Sequence, residues 1–277
     1  MSWHTGRLLA LDTETTGIDV NHDQIVTASA IYVGGGEGAI PLNWMSNLDG
    51  AEIPEAATAV HGITTEHARA NGGPAQDVTK DIVTALSEAV AASVPIVGHN
   101  VVFDLTLLDR EARRHLGCGL DGAFDLARMR VVDTRVLDQH VLPRRRRVSQ
   151  TQGPRQLITL AQVYGFEWDE KAAHGSEYDA LMSARIAYRI NQIAQTPHAD
   201  RPEFVTRDQY QRFDDLAGLD LEQVHAVQVG WAAEQARSLQ EYLRRMKPDV
   251  RVEQAWPLIP LTDAELEQHG TPEETAS

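Results

Sequence analysis

The stretch LLALDTETTG, from Leu8 to Gly17, decides the fold. An unbroken apolar run between Arg7 and an acidic, glycine-ended turn fits a central strand buried on both faces. A strand is expected over residues 7–12, with Asp12-Thr13-Glu14 where it ends. Residues two apart on a strand point the same way, so both carboxylates face one side at the sheet edge. Like charges at that range raise each other's pKa, and a cation between them relieves the cost. Alone, Asp-x-Glu is a weak signal, because such pairs are common on solvated strands.

Outward from this strand, residues 24–33 (QIVTASAIYV) are rich in β-branched side chains. Gly34-Gly35-Gly36 turns the chain, and residues 39–45 return as a third strand of an antiparallel meander. Residues 74–92 repeat Val78, Ile82, Leu86 and Val90 at helical spacing, and residues 101–116, 155–164 and 175–193 are also read as helices. Short strands are expected at 95–98 and from Val131 to Thr134. A meander followed by strands alternating with helices predicts an α/β fold, a mixed sheet with helices on both faces. Residues 196–202, with Pro197 and Pro202, are expected to form a linker. A helix follows over about 219–246, striped by Val224, Gln228, Trp231, Gln235, Leu239, Tyr242 and Met246, and this stripe is expected to pack on the main domain. Trp256 to Pro260 is read as an extended anchor, and the polar tail after Leu261 as frayed. The chain thus divides into a main domain, 1–195, and a helical extension and tail, 196–277.

The 277 residues are 42% hydrophobic, enough for a substantial core. No stretch approaches the roughly 20 apolar residues that span a bilayer, and the start lacks a secretory pattern, so no membrane partner is expected and the cytoplasm is the default location. The lone Cys118 excludes an internal disulfide and a cysteine-rich zinc site, and an inert, partly buried thiol is expected there. A formal charge of −15 argues against a nucleic-acid footprint in sum, but not in distribution. Residues 110–155 hold 11 arginines and no lysine against five acids.

Two further acidic positions complete the pattern. Asp104 falls in the first turn of a helix that follows a short strand, where ligands of α/β sheets bind. Its bland alternative is an acid that merely favours a helix N-terminus. Asp179 lies one turn into a later helix, after a glycine-freed loop that holds His174. Most lone histidines are surface or satisfied core residues, so each piece is bland alone.

In order along the chain, Asp12-Thr13-Glu14-Thr15-Thr16-Gly17, Val60-His61-Gly62-Ile63-Thr64, Gly98-His99-Asn100 with Phe103-Asp104, and His174 with Asp179-Ala180 are not bland. The set resembles the motifs of the DEDDh 3′→5′ exonuclease family, which includes proofreading subunits of the epsilon type. The resemblance covers about residues 8–193. It implies a ribonuclease-H-like fold for an exonuclease domain over 1–195, with Asp12, Glu14, Asp104 and Asp179 as metal ligands and His174 as general base. Where the family's last motif has Ala two residues after the histidine, this chain has Ser176, a change expected to matter little.

The chemistry agrees. Phosphodiester hydrolysis needs an activated attacking oxygen and a stabilised leaving 3′-oxygen, and two divalent cations, Mg²⁺ or Mn²⁺, can serve both. Such hard ions take oxygen ligands, which four carboxylates offer. A histidine, with an ordinary pKa near 6.5, suits proton removal from water at neutral pH. Weaker expectations are substrate contacts from Thr15, from His61 in a loop beside the terminal nucleotide, from Phe103 against a base, and from Arg144, Arg145, Arg146 and Arg147 as a phosphate clamp. The His61 segment fits a helix-capping turn equally well, and core packing is the safer reading of Phe103. Gln209-Tyr210-Gln211-Arg212-Phe213 has the outline of a sliding-clamp motif, with Arg212 where such motifs want an apolar residue.

The partners expected are therefore 3′ ends of DNA or RNA, with a polymerase or sliding clamp as the protein partner and proofreading or DNA repair as the setting. The leading reading is a DNA-directed, or DNA- and RNA-directed, 3′→5′ exonuclease. An RNA-trimming exoribonuclease and a non-catalytic nucleic-acid-binding or polymerase-accessory module are the alternatives. The presence of all five motif residues ranks the module low.

Overall fold

In a computed structural model residues 3–262 are described, so the expected frayed tail lies outside them but for Thr262. The sheet comprises β1 (Arg7–Thr15), β2 (Ile25–Gly34), β3 (Ile40–Met45), β4 (Ile96–Gly98) and β5 (Val131–Asp133). Around it lie α1 (Glu55–His61), α2 (Thr65–Asn71), α3 (Ala75–Ala91), α4 (Val102–Leu116), α5 (Leu120–Ala123), α6 (Thr134–Val141), α7 (Leu157–Val163), α8 (Ser176–Gln195), α9 (Tyr210–Asp214) and α10 (Leu221–Arg244). The strand order is β3-β2-β1-β4-β5. β1, β2 and β3 pair antiparallel, and β4 and β5 continue parallel to β1. The mixed sheet with helices on both faces is the architecture that the sequence predicts.

Strand side chains alternate between two cores. Leu9, Leu11, Ile96 and Val131 face α3 and α4, whereas Leu8, Val97 and Val132 face α6, α7 and α8. Both faces are buried, which explains why β1 begins as an apolar run rather than an alternation. Where α8 crosses β1, Ala10 meets Ala180 and Ala184, all buried. These small residues permit a close approach, and it brings the residue before Ala180 beside the residue two past Ala10.

β1 is longer than expected. It runs through Thr15 because β2 pairs with it past Asp12, to Glu14 against Thr27, while β4 pairs only with Leu9 and Ala10. The acidic residues therefore stand on a two-stranded ribbon that projects past the parallel part of the sheet. A register shift between Glu14 and Thr15, of the bulge type that re-aims side chains near functional sites, ends the strand.

The extension packs on the main domain through the start of α10. The edge strand β5 would otherwise leave backbone groups unpaired. The Val131 N–H donates to His225 Nδ1 at 3.1 Å, the Asp133 N–H to Gln228 Oε1 at 2.8 Å, and Gln228 Nε2 donates to the Val131 carbonyl at 3.0 Å. Trp256 is buried, and the Ile259 backbone is held by Thr106 Oγ1 and Arg110, so this segment is an anchor as expected.

Three expectations need correction. The helical stripe buries only its first half, since Leu239, Tyr242 and Met246 are exposed where α10 runs past the three-residue edge strand. Residues 196–202 are no loose linker. The buried Arg201 guanidinium bonds to the Thr196, Ala194 and Tyr210 carbonyls and pairs with Asp214. Cys118 is exposed, because Gly117 in the left-handed region ends α4 and turns the chain outward just before it. Among the described residues, no helix is long and apolar enough to cross a membrane.

Candidate active site

Asp12 and Glu14 share the β1 face on which Ala10 meets α8, and Asp179 comes from the first turn of α8. One carboxylate oxygen from each of Asp12, Glu14 and Asp179 lies within 4.8 Å of the others. Burial, and then the charges of Asp104, Asp179 and Glu14, hold the Asp12 carboxyl well above the usual range. Burial with the charges of Asp179 and Asp104 pushes Glu14 up to about 8. Asp179 is raised to about 6 by burial, against the charge of His174 and a hydrogen bond from the His174 backbone, both of which lower it. Its Oδ1 is buried without a hydrogen-bond partner. A buried acceptor left empty among repelling carboxylates is costly unless a cation joins the group. The donors are all hard oxygens, and they fit a divalent ion such as Mg²⁺ or Mn²⁺.

Asp104 reaches the site differently. It is buried in the first turn of α4, and Thr13 Oγ1 donates to its Oδ1 at 2.6 Å. Thr13 points to the α4 face while its neighbours point to the α8 face, so one strand organises acids from two helices. Burial raises Asp104 to about 7, and the Thr13 hydroxyl pulls the other way. Asp104 stands apart from the tight trio, yet close enough for its charge to raise both Asp12 and Glu14.

His174 is exposed, at the head of α8, with φ +60° in the left-handed region. That conformation is uncommon for a non-glycine residue, and here it sets the imidazole beside the carboxylates. His61 ends α1, and Gly62 in the left-handed region caps the helix. Thr64 then caps α2 by accepting from the His67 N–H. The segment is thus a capping turn, and it also brings His61 to the site. His61 Nδ1 accepts from the Ile63 N–H at 3.1 Å. Its ring lies beside the Thr15 backbone and is held below its ordinary pKa by burial and by His174. Thr15 Oγ1 donates to the Gly17 carbonyl at 2.6 Å and so shapes the turn after the strand. Phe103 is half-buried against the α3–α4 core, the safer of its two readings.

The arginine run is split. Arg145 turns inward and, with Arg155, pairs with the fully buried Asp138, which also accepts from the Tyr164 hydroxyl at 2.9 Å. Arg147 folds onto the Ser149 and Gln150 carbonyls, while Arg144 and Arg146 are exposed. Four adjacent side chains on irregular backbone point different ways, so a single fourfold clamp does not form. Arg110, from the same basic stretch, is buried against Asp109. The clamp-like segment is also spent internally. Phe213 is fully buried and Arg212 donates to the His140 carbonyl, so no motif is presented.

Sequence reasoning missed the supports of the site. Ser176 is buried and shares a 2.8 Å hydrogen bond with Ser29, which lies opposite Asp12 in the β1–β2 register. Ser29 donates to Asn43 at 2.7 Å, and Asn43 bonds to Glu177. These bonds tie the first turn of α8 to the acidic ribbon, so the serine in the family's alanine position has work to do. His99 bridges Thr134 Oγ1 (2.9 Å) and the Arg155 carbonyl (2.8 Å). The Asn100 N–H donates to Asp133 at 2.9 Å. Gly98-His99-Asn100 therefore pins the ends of β4 and β5 together. Ser176 and Gly98-His99-Asn100 stood out in the sequence, but their partners did not, because Ser29 lies 147 positions from Ser176, Thr134 35 from His99 and Asp133 33 from Asn100.

Comparisons with known proteins bear on this geometry. Ribonuclease T of Hahella chejuensis (strain KCTC 2396) is 23% identical over 188 residues, 64% of this chain and 80% of that protein. The zinc-bound E. coli exonuclease I–ssDNA complex superposes with a TM-score of 0.55 at 20% identity, over 68% of this chain and 41% of that one. A product-bound exonuclease I gives 0.56 at 19% identity, over 76% and 45%. The chain spans less than half the length of those structures, and at such identity they show the fold alone. The family model for exonucleases of the RNase_T type matches residues 9–187, well over half the chain. The chain is thus a member of the DEDDh 3′→5′ exonuclease family.

Proposed function

We propose that this enzyme removes nucleotides one at a time from the 3′ end of single-stranded DNA. The observation that carries the reading is the convergence of Asp12, Glu14 and Asp179, with the empty buried Asp179 Oδ1 and Asp104 beside them. Asp12, Glu14, Asp104 and Asp179 would hold two divalent cations, Mg²⁺ or Mn²⁺, which neutralise charge on the attacking and leaving oxygens. Asp12 and Glu14 come from a strand whose register with β2 is long and continuous, so their placement is rigid. The Thr13 hydroxyl favours the charged form of Asp104 against its burial. His174 takes a proton from the attacking water onto an imidazole nitrogen. The water oxygen bonds to phosphorus as the bond to the 3′-oxygen breaks, which leaves a nucleoside 5′-monophosphate and a strand one residue shorter. His61 and Thr15, at the turn after β1, flank the terminal nucleotide, and the exposed Arg144 and Arg146 attract the phosphate backbone.

Single-stranded DNA is favoured by the likeness to exonuclease I solved with ssDNA. A second reading, trimming of RNA 3′ ends, is favoured by the similarity to ribonuclease T. Matched 5′-labelled DNA and RNA strands in Mg²⁺ or Mn²⁺ separate them. Faster shortening of DNA supports the first reading, and faster shortening of RNA replaces it with the second. A role in proofreading would require a polymerase partner, and co-purification with one would support it.

A further inference from the structure

Beyond the carboxylates, the described chain holds a cleft of about 510 Å³, within the range of sites that take nucleotide-sized ligands. It opens at the C-terminal ends of β4 and β5, the same edge of the parallel strands past which the acidic ribbon projects. Asn100 and Val102 line it, and two residues on from Val102 is Asp104. Arg135, Arg145 and Arg155 also line it, in a chain of net charge −15. Arg145 and Arg155 share one carboxylate, Asp138, so the pair keeps a net positive charge. The Arg135 guanidinium bonds to the Asn100 amide oxygen, and no described carboxylate lies within ion-pair distance of it. Two acids, Asp133 and Glu253, also line it, and both accept hydrogen bonds from backbone N–H groups. Asp133 accepts backbone N–H groups from Asn100 and Arg135, and Glu253 accepts those of Gln254 and Ala255. The facing wall carries Gln235 and Leu239 of α10 and the segment that ends at Trp256. That wall lies past residue 187, where the family match ends, so one side of the cleft is built by this chain's extension and the arginine side by the matched domain.

We infer that this cleft binds the sugar–phosphate backbone of the substrate strand upstream of the terminal nucleotide. The inference rests on the exonuclease reading. A strand whose 3′ end lies at Asp12 and Asp104 passes the end of β4 and meets Arg135 and its neighbours at the end of β5. The Arg135 guanidinium, held by one amide oxygen, keeps donors for a phosphate, whereas Arg145 and Arg155 are bonded to Asp138 and to backbone carbonyls and add charge behind it. The amides and apolar side chains of the other wall take sugar and base edges without reading sequence.

Kinetics on oligothymidylates, from the dinucleotide to roughly a dozen nucleotides, test it with the full chain in Mn²⁺. For the wild type, KM should fall as the strand lengthens and then level off. Leu239→Glu puts a carboxylate in the cleft from an exposed position, so folding should survive, as a melting curve verifies. It should raise KM on the long strand about tenfold relative to the dinucleotide, the worth of one charge-assisted contact. Arg135→Gln should do the same. A wild-type KM that ignores length, or variants with the wild-type ratio of long to short, would overturn the inference and leave the exonuclease reading standing. If the wild type shortens nothing, that reading fails instead, and anisotropy with a labelled dodecamer decides the cleft. Tenfold weaker binding by Leu239→Glu then supports it, and equal binding refutes it.

Discussion

Replacing Asp12 with Asn separates a metal site from an ordinary hydrogen-bonded acid without any substrate. In the metal-free protein the carboxyls are costly to ionise. Asp179 is raised from 3.8 to about 6, which corresponds to about 3 kcal/mol once it is charged. Glu14, raised from 4.5 to about 8, corresponds to about 5 kcal/mol. Burial is the first cause of both shifts and the two carboxyls share one site, so the net cost is a few kcal/mol rather than their sum. A carboxyl with a raised folded pKa favours the fold while it is protonated. Metal-free stability should therefore be highest near pH 4 and fall as the pH rises through about 6 to 8. Asp12→Asn keeps the shape and removes a carboxyl that burial and its neighbours make costly to ionise. At pH 8 in chelator it should melt at or above the wild type, and its melting temperature should depend less on pH. A change of about 3 kcal/mol corresponds to roughly 6–12 °C in a protein of this size. Excess Mn²⁺ binds the folded state and should raise the wild-type melting temperature with concentration, and that of Asp12→Asn less. Melting curves of both proteins from pH 5 to pH 9, in chelator and in Mn²⁺, read all of this. A variant clearly less stable than wild type in chelator, with an undiminished response to Mn²⁺, would refute the reasoning.

Four other changes probe separate parts of the molecule. His174→Ala should lower turnover by ~10²–10⁴-fold while Mn²⁺ still raises the melting temperature as in wild type. Equal loss of the metal response would make His174 a ligand instead. Thr13→Val removes the hydroxyl that favours the charged form of Asp104, so its pKa climbs further above about 7. The Mg²⁺ concentration for half-maximal rate should rise about tenfold at pH 7 and less at pH 8.5, and no change at either pH would dismiss the bond as incidental. Asp138→Ala strands Arg145 and Arg155 and should cost roughly 3–5 kcal/mol by denaturant melts. Arg144→Ala with Arg146→Ala should leave stability alone and flatten the salt dependence of binding, and an unchanged salt slope would make them a solvated face.

Much of this was legible in the sequence because it is local. Five strands and the long helices follow from apolar runs, β-branched segments and helical repeats, and the spacing of Asp12 and Glu14 gave their shared face. What was not legible depends on partners distant in the chain. The strand's extension past Asp12 is set by β2, and nothing within LLALDTETTG announces it. Asp104 answers to Thr13, and Ser176 to Ser29, across 91 and 147 positions. The arginine run misled because adjacency in sequence fixes no common direction without a helix or strand, and Asp138 claims Arg145 alone of the four. The exposed end of α10 shows the same limit: a helical stripe declares what could be buried, and the short β5 edge decides how much is.

The most direct test of the central claim is the product ladder of a 5′-labelled single strand incubated in Mn²⁺ with the wild type and with Asp12→Asn. The account predicts that the wild type shortens the strand one nucleotide at a time from its 3′ end and that the variant leaves it intact. A wild type that binds the strand without shortening it, or an Asp12→Asn protein that yields the same ladder, would contradict it.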